Sequence, residues 1–214
     1  LYCNRLQDAF QLSRLWRQGS AHLPIGGVRA AVIISHAVND VSRFADQIRL
    51  RAVKMVAPHG FGYLGQALSS AEIIAALFSG PYRAERDKLV CSPGHYIIGF
   101  FAAAGELGIL DDHALATYGQ DGSSLETIGT ERSPVVDLVC GSLGQGLSGG
   151  AAFAVSDQMR GDTDARVFVL VSDGELEEGQ TWEAVMFAAH RNLQNLVVLL
   201  DANNSQVDGP VSSI

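Results

Sequence analysis

The sequence predicts an α/β fold in which helices flank a parallel β-sheet. The first reason is two short runs rich in valine and leucine, residues 166–172 and 195–201, which are apolar on both faces like strands of a buried parallel sheet. The second is that residues 179–193, which separate these runs, carry apolar side chains at helical spacing. The order strand, helix, strand predicts neighbouring parallel strands joined by a right-handed crossover. The side of this helix expected to face the core consists of Trp182, Val185, Met186, Ala189 and Leu193.

The chain before this unit is predicted to begin with two helical segments. Residues 1–19 have the spacing of one amphipathic helix, and we treat residues 1–39 as an N-terminal extension of unknown role. We expect the domain itself to cover residues 40–214. Its first helix is predicted over residues 40–57, with Asp40 as the N-cap.

Local signals then predict a helix, a strand and a second helix. Ser69 and Glu72 have the spacing of a capping box, which predicts that a helix opens there and runs to Phe78. Residues 88–91 predict a short buried strand. We expect a loop after this strand, followed by a helix that ends near Leu107.

The middle of the chain is predicted to hold a short helix, a long loop and a glycine-rich helix. Asp111 or Asp112 is expected to cap a helix that runs through Tyr118. Residues 119–134 are polar and long for a structureless loop, which favours a functional role for them. Residues 142–159 predict a helix whose many Gly and Ala residues allow close packing, either inside the chain or across a subunit interface.

Residues 144–149 fit the glycine pattern of dinucleotide-binding loops, so a nicotinamide cofactor is an alternative to weigh. The pattern follows the apolar residues 135–140 and opens a helix, as such loops do. A dinucleotide site also needs an acidic residue at the end of a second strand, about 20 residues further on. Asp162 and Asp164 sit in a polar turn instead, so we do not expect this cofactor.

Composition and charge describe a globular chain of 214 residues. The hydrophobic fraction of 47% and the charged fraction of 18% are sufficient for a large core. The net charge of −8 and the lack of a basic tract argue against nucleic acid and anionic membranes as partners. Cys3, Cys91 and Cys140 lack the spacing of a metal or disulfide motif, which predicts reduced thiols in the cytoplasm. No membrane span or signal peptide is expected.

Polar residues follow the two strands of the predicted strand–helix–strand unit. Asp173 comes directly after the first strand, and Asn203 follows the second. These side chains are expected at one edge of the sheet, where open α/β sheets bind ligands. Carboxylate and amide oxygens suit Mg²⁺, and Gly174 would let a diphosphate approach the backbone closely. The plain alternative is an ordinary Asp-Gly turn followed by an Asn-rich loop.

Four segments, in this order along residues 40–214, resemble motifs of the transketolase family. The resemblance implies the thiamine-diphosphate-binding fold of transketolases, specifically the half that holds the diphosphate. Thiamine diphosphate and Mg²⁺, or Ca²⁺ or Mn²⁺ in its place, are the implied cofactors. The segments are Ser69-Ser-Ala-Glu72, Ser92-Pro-Gly-His95, Gly141-Ser-Leu-Gly-Gln-Gly-Leu-Ser148, and Ser172-Asp-Gly-Glu-Leu-Glu-Glu-Gly-Gln-Thr-Trp-Glu-Ala184 with its closing Asp201-Ala-Asn-Asn-Ser-Gln-Val-Asp-Gly-Pro210.

The resemblance also implies individual roles. Asp173 and Asn203 would bind the metal through their side chains, and Ser205 would bind it through its carbonyl oxygen. The implied catalytic residues are His95, which would face the cofactor, and Glu178, which would communicate across a dimer interface. The residues implied to contact thiamine diphosphate are His95, Gly141, Ser142, Leu143, Asp173, Gly174, Glu175 and Asn203.

His95, Glu178 and a further polar residue, His190, have simpler interpretations. His95 could cap only the helix that follows it. Glu178 could be a solvated glutamate in the first turn of a helix, stabilised there by the helix dipole. His190 is also of a type common in the family, but on a helix expected to face the core we interpret it as a structural histidine.

The family's pyrimidine-binding domain, with the glutamate that promotes ylid formation, is not found in this sequence. We therefore expect a C-terminal transketolase-like subunit carrying that domain, in an α₂β₂ assembly, or else a chain that is a fragment. The leading hypothesis is a transferase of the transketolase type, which moves a two-carbon ketol unit from a small-molecule keto donor to an acceptor.

Two substitutions bear on the donor. Tyr63 and Ile128 stand where the family uses histidines to contact a sugar substrate. An ordinary ketose phosphate donor is therefore in doubt, because buried polar contacts discriminate strongly between substrates. The alternative is a pyruvate-dehydrogenase-like first component that passes an acyl or glycolyl unit to a lipoyl or carrier-protein thiol. A catalytically silent regulatory subunit is a third hypothesis.

Overall fold

The computed structural model describes residues 23–25, 28–31 and 39–213, with side chains from residue 41 onward. The helix predicted over residues 1–19 lies outside these ranges. The strands are β1 (Leu23–Ile25), β2 (Val28–Ala31), β3 (Lys88–Pro93), β4 (Leu138–Cys140), β5 (Val167–Ser172) and β6 (Leu196–Asp201). The α-helices are α1 (Asn39–Val56), α2 (Leu64–Phe78), α3 (Ile97–Glu106), α4 (Asp112–Leu115), α5 (Gly146–Met159) and α6 (Gly179–His190). Short 3₁₀ turns cover Gly94–Tyr96, Asp173–Glu177 and Val211–Ser213.

The strands form one sheet in the order β1-β2-β6-β5-β3-β4. All neighbouring strands from β2 to β4 are parallel, and only β1 runs antiparallel, to β2. Strands β5 and β6 pair in a register that places Ser172 opposite Asp201, so the two strands end together. The predicted α/β class is therefore confirmed, with each of these two strands starting one residue later than expected.

Helices cover both faces of the sheet. Helices α1, α2 and α3 pack on one face, against side chains that include Phe168 and Leu170 of β5. Helices α5 and α6 pack on the other face, against Val167, Val169 and Val171 of the same strand. Strand β5 is buried on both faces, and its first five residues are accordingly apolar. The polar Ser172 at its end is hydrogen-bonded to Glu175. Among the described residues, no helix is long and apolar enough to cross a membrane.

The capping box predicted at Ser69 and Glu72 is wrong. Helix α2 begins at Leu64, so both residues lie inside it. Glu72 accepts hydrogen bonds from Arg49 at 2.5 Å, which gives its carboxylate a partner on α1 in place of a backbone N–H. A capping box does occur later in the chain, between Ser172 and Glu175. At α4, by contrast, the predicted cap is confirmed, since the Asp111 side chain accepts a hydrogen bond from the Ala114 N–H at 2.7 Å.

The predicted core-facing side of α6 is right in part: Leu193 is buried, and Val185 and Ala189 pack against the core, but the two largest side chains do not. Trp182 and Met186 are 37% and 55% exposed, and His190, predicted to be a structural core histidine, is exposed as well. The buried residues of α6 are smaller: Thr181, Ala184 and Ala188. This helix packs against the glycine- and alanine-rich α5, where small side chains permit close approach. The larger apolar side chains are consequently turned outward.

Glycines bring the strand ends and α5 into backbone contact. A Cβ atom on Gly146, the first residue of α5, would lie 2.5 Å from the Ser92 Cα atom at the end of β3. A Cβ atom on Gly94 would lie 2.4 Å from the carbonyl oxygen of Cys140, which ends β4. The sequence predicts that α5 begins at residue 142, but the helix begins at Gly146. The preceding glycine-rich residues form a loop instead.

This packing predicts that Gly146→Ala destabilises the protein. The added methyl group would meet backbone atoms of Ser92, and overpacking of this kind costs about 1–3 kcal/mol. The matched control is Gly179→Ala, which also changes the first residue of a helix but places a Cβ with no atom within 4 Å. Urea unfolding should show a clear loss for the first variant and none for the second, and equal free energies of unfolding would contradict the packing argument.

Candidate cofactor and metal site

The candidate site lies where the parallel strands end. Strand β3 leads into the turn Gly94–Tyr96, and β5 leads into the turn Asp173–Glu177. The loop after β4 begins at Gly141, and the loop after β6 contains Asn203. Since these strands are neighbours and parallel, their loops meet at one edge of the sheet. The structure thus brings together most of the residues that the sequence singled out.

Asp173 is buried at this edge and contacts the loop after β6. Its Oδ2 accepts a hydrogen bond from the Asn204 N–H at 2.9 Å, and its Oδ1 accepts one from the Gly174 N–H at 3.0 Å. Asn204 reaches this position in a left-handed conformation with a φ of 61°, which asparagine tolerates better than most residues. Burial raises the pKa of the Asp173 carboxyl, and the nearby Asp201 adds to the effect. A bound cation would stabilise its charged form.

Asn203 lies in the loop after β6, next in the chain to Asn204, whose N–H donates to Asp173. Its Oδ1 accepts a hydrogen bond from the Ser205 N–H at 2.8 Å, and its Nδ2 donates to groups on other elements. The donor set of Asp173, Asn203 and the exposed backbone near Ser205 contains only oxygen ligands. No cluster of three or more His, Cys, Asp or Glu side chains suited to a metal occurs in the described part of the chain. The residues present fit a hard cation that takes few protein ligands, such as Mg²⁺.

Glu175 is fully buried beneath the loops. Its Oε1 accepts hydrogen bonds from the Ser92 hydroxyl at 2.5 Å and from the Gly144 N–H at 2.7 Å. Its Oε2 accepts one from the Ser172 N–H at 3.1 Å. Burial raises the pKa of this carboxyl, while the three hydrogen bonds oppose the shift. One carboxylate, that of Glu175, therefore contacts the end of β3, the loop after β4 and the end of β5.

Two glycines at the edge face open space. A Cβ on Gly141 would meet no atom within 4 Å, and one on Gly174 would meet its nearest atom at 3.9 Å. Neither residue has a positive φ. Gly144 differs, since its φ is 80° and a Cβ there would lie 2.7 Å from the Glu178 Cβ. Packing thus explains Gly144, whereas the bare backbone at Gly141 and Gly174 is available to a ligand.

His95 lies in the turn after β3 with aromatic rings on two sides. Its ring centroid is 5.3 Å from that of Tyr63 and 5.2 Å from that of Tyr96. Burial lowers the pKa of the His95 imidazole, which keeps the ring neutral at neutral pH. Ile128 reaches the same turn, because the Gly129 N–H donates to the Gly94 carbonyl oxygen at 3.0 Å. Tyr63 and Ile128 thus flank the His95 turn.

The remaining predicted residues border this edge. Ser142 is exposed in the loop after β4, and the Leu143 carbonyl oxygen accepts a hydrogen bond from the Gln180 side chain at 3.4 Å. Glu178 is the half-buried N-cap residue of α6. An open cleft of about 520 Å³ lies on the β4 side and includes Ile128 and Gly141.

A set of polar residues around the Asn203 side-chain nitrogen was not predicted from the sequence. Tyr96 is buried, and its hydroxyl accepts a hydrogen bond from Asn203 Nδ2 at 3.2 Å. Burial and the neighbouring Asp201 carboxylate raise the pKa of this hydroxyl well above its usual range, so it stays protonated. The one sequence signal for Asp201 was its position two residues before Asn203, and nothing local connected either residue with Tyr96.

Comparisons with known proteins agree on one family. Residues 41–214 match the family described as "Transketolase, thiamine diphosphate binding domain". A transketolase family protein of Sinorhizobium fredii is 37% identical over 83% of the chain, and the match covers 66% of that protein. The 6-deoxy-6-sulfo-D-fructose transketolase subunit of a Clostridium species is 34% identical over 82% of the chain, again with 66% of the relative covered.

Solved structures show the same relationship. Transketolase from Leishmania mexicana matches 83% of the chain with a TM-score of 0.75 and 27% sequence identity, and the match covers 29% of that enzyme. The chain thus spans about two thirds of the two bacterial relatives and under a third of this longer transketolase. The family match over residues 41–214 includes the strands, turns and loops that form the edge described above. The chain belongs to the transketolase family and contains its thiamine-diphosphate-binding domain.

Proposed function

We propose that the chain is the thiamine-diphosphate-binding subunit of a two-chain transketolase-like enzyme, which transfers a two-carbon ketol unit from a keto donor to an acceptor. The observation that carries this proposal is the contact between the Asp173 carboxylate and the loop that contains Asn203, at adjoining parallel strand ends. The match to the family's thiamine-diphosphate-binding domain supports the choice of cofactor.

Different residues at this edge of the sheet bind the metal and the diphosphate. Asp173 and Asn203 hold Mg²⁺, or Ca²⁺ or Mn²⁺, by their side-chain oxygens, together with the Ser205 carbonyl oxygen. The uncovered backbone at Gly174 would receive the diphosphate, and Gly141 offers a second open approach. When bound, thiamine diphosphate would supply a nucleophilic carbon for the chemistry on the keto donor.

The polar side chains orient the reacting groups. His95 is neutral and faces the cofactor from the turn after β3, where it can accept or donate a hydrogen bond. Ser142 and Leu143 lie in the loop after β4. Glu175 holds that loop in place by accepting a hydrogen bond from the Gly144 N–H. Glu178, at the start of α6, communicates across the interface with another subunit, the role that the resemblance to the family implies.

The second chain supplies the pyrimidine-binding domain in an assembly of α₂β₂ type. A relative that is named a subunit supports this part of the proposal, as does the match to one domain of longer transketolases. The outward side chains Trp182 and Met186 give α6 an apolar surface for such a contact. We place the enzyme in the cytoplasm, which agrees with the free thiols of Cys91 and Cys140.

The first prediction tests the metal site. Asp173→Ala should reduce the Mg²⁺-dependent affinity of the assembled protein for thiamine diphosphate by at least about 100-fold, or about 3 kcal/mol. The variant should remain folded, because the buried carboxylate is itself unfavourable in its charged form. Calorimetry with and without Mg²⁺ measures the effect.

Glu177→Ala, which removes an exposed carboxylate in the same turn, is the control and should bind normally. Unchanged affinity in Asp173→Ala would refute the metal site.

The second prediction tests the approach of the diphosphate. Gly174→Ala should fold like the parent, because its Cβ would meet protein atoms only at 3.9 Å or more. It should nevertheless weaken thiamine diphosphate binding about tenfold or more, or about 1.4 kcal/mol, since the methyl group occupies the ligand's side of the backbone. Gly179→Ala is the control. Parent-like affinity together with parent-like stability would show that no ligand approaches Gly174.

The third prediction concerns the donor. Neither Tyr63 nor Ile128 supplies a charge near neutral pH, and the Ile128 side chain cannot form hydrogen bonds. The assembled enzyme should therefore use xylulose 5-phosphate poorly relative to hydroxypyruvate or pyruvate, as judged by kcat/KM. Tyr63→His combined with Ile128→His should shift the preference toward the sugar phosphate, whereas Phe61→His, on a nearby exposed aromatic residue, should not.

Two results would change this assignment. A strong preference of the parent for xylulose 5-phosphate would show that Tyr63 and Ile128 do not determine donor choice. Turnover of pyruvate with a lipoyl or carrier-protein thiol as acceptor would instead favour a pyruvate-dehydrogenase-like first component.

A further inference from the structure

Three oxygen acceptors surround the side-chain nitrogen of Asn203. Its Nδ2 lies 3.3 Å from the Ser69 Oγ, 3.2 Å from the Tyr96 Oη and 3.1 Å from the Asp201 Oδ2. The three acceptors come from different elements, namely α2, the turn after β3 and the end of β6. An amide nitrogen carries two hydrogens to donate, whereas the amide oxygen can only accept. The Asp201 carboxylate can only accept, so it fixes which end of the Asn203 amide points inward, and the two hydroxyls add acceptors on the same side.

The acceptors are themselves held in place. Asp201 is buried, and its Oδ2 accepts a hydrogen bond from the Ser69 hydroxyl at 2.6 Å in addition to the one from Asn203. If the Asn203 amide were reversed, its oxygen would face the Asp201 carboxylate. Two acceptors would then oppose each other in a buried place, and both would lose a donor, which is costly. The observed orientation is consequently strongly favoured.

The oxygen end of the amide lies on the side of the loop after β6 that leads to Ser205. Asn203 Oδ1 accepts one hydrogen bond, from the Ser205 N–H at 2.8 Å, and so retains a second lone pair. The next residue, Asn204, donates its N–H to the Asp173 Oδ2 at 2.9 Å, which places the Asp173 carboxylate close by. Only the oxygen end of an amide can bind a cation. The amide orientation thus decides whether Asn203 is a ligand.

We propose that Ser69, Tyr96 and Asp201 are positioning residues that hold the Asn203 side-chain oxygen toward the metal. This inference rests on the proposed function, since it presupposes a cation bound by Asp173 and Asn203. It assigns a role to three side chains that touch neither the metal nor the substrate. The groups that orient a metal ligand commonly change metal affinity by about 10–100-fold when they are removed.

The test is the affinity of the assembled protein for Mn²⁺, measured by calorimetry at saturating thiamine diphosphate. Ser69→Ala and Tyr96→Phe should each weaken Mn²⁺ binding about tenfold, and the double variant up to about 100-fold. Thiamine diphosphate affinity should also fall at low Mn²⁺ and return to the parent value at high Mn²⁺. Recovery at high Mn²⁺ separates a misdirected ligand from a damaged cofactor site, which added metal would not repair.

Each variant has a matched control. Ser70→Ala removes the neighbouring hydroxyl on α2, which donates to the Gln66 carbonyl oxygen at 2.7 Å and has no hydrogen bond to Asp201 or Asn203 in the described structure. Tyr82→Phe removes the hydroxyl of a half-buried tyrosine that packs on Phe168, near the opposite end of the sheet. Both controls should bind Mn²⁺ like the parent.

Three outcomes would overturn the inference. If the double variant binds Mn²⁺ within about twofold of the parent while Asp173→Ala does not bind it, the metal site is correct and the positioning role is wrong. If Ser70→Ala weakens binding as much as Ser69→Ala does, the effect comes from a loosened helix. If the parent and Asp173→Ala bind Mn²⁺ equally, the proposed metal site itself fails, and the positioning role fails with it.

Discussion

The arrangement of the site depends on the buried carboxylate of Glu175. Three neutral donors satisfy it: the Ser92 hydroxyl, the Gly144 N–H and the Ser172 N–H. They belong to the end of β3, the loop after β4 and the end of β5, so one carboxylate sets the positions of three segments. A buried charge that loses its hydrogen bonds costs several kcal/mol. None of these segments can move away from Glu175 without that cost.

The loops held by Glu175 leave the edge of the sheet accessible to a ligand. Gly141 and Gly174 present backbone that no protein atom covers closely. Within the described part of the chain, the buried Asp173 carboxylate accepts hydrogen bonds from backbone N–H groups alone, and the Asn203 side-chain oxygen accepts one from the Ser205 N–H. The interior thus provides rigidity, while the edge provides uncovered glycine backbone and oxygen ligands. In the function we propose, a cation and a diphosphate would satisfy both kinds of group at once, because each neutralises part of the other's charge.

Much of this architecture could be predicted from the sequence, because buried parallel strands are apolar on both faces. The closeness of Asp173 and Asn203 then follows from topology alone. The capping box at Ser69 failed because Glu72 pairs with Arg49, which is distant in the sequence. The exposure of Trp182 and Met186 on α6 was not predicted for a related reason. The residues of α6 that are buried are the small Thr181, Ala184 and Ala188, and it is the close packing against α5 that selects them.

The central claim is that one cation lies between the ends of β5 and β6. The most direct measurement is a crystal structure of the assembled protein with thiamine diphosphate and Ca²⁺, with anomalous scattering to locate the ion. We expect Ca²⁺ about 2.3–2.6 Å from side-chain oxygens of both Asp173 and Asn203, and in contact with the diphosphate. An ion bound elsewhere, or a diphosphate held without contact to the Gly174 backbone, would contradict the account.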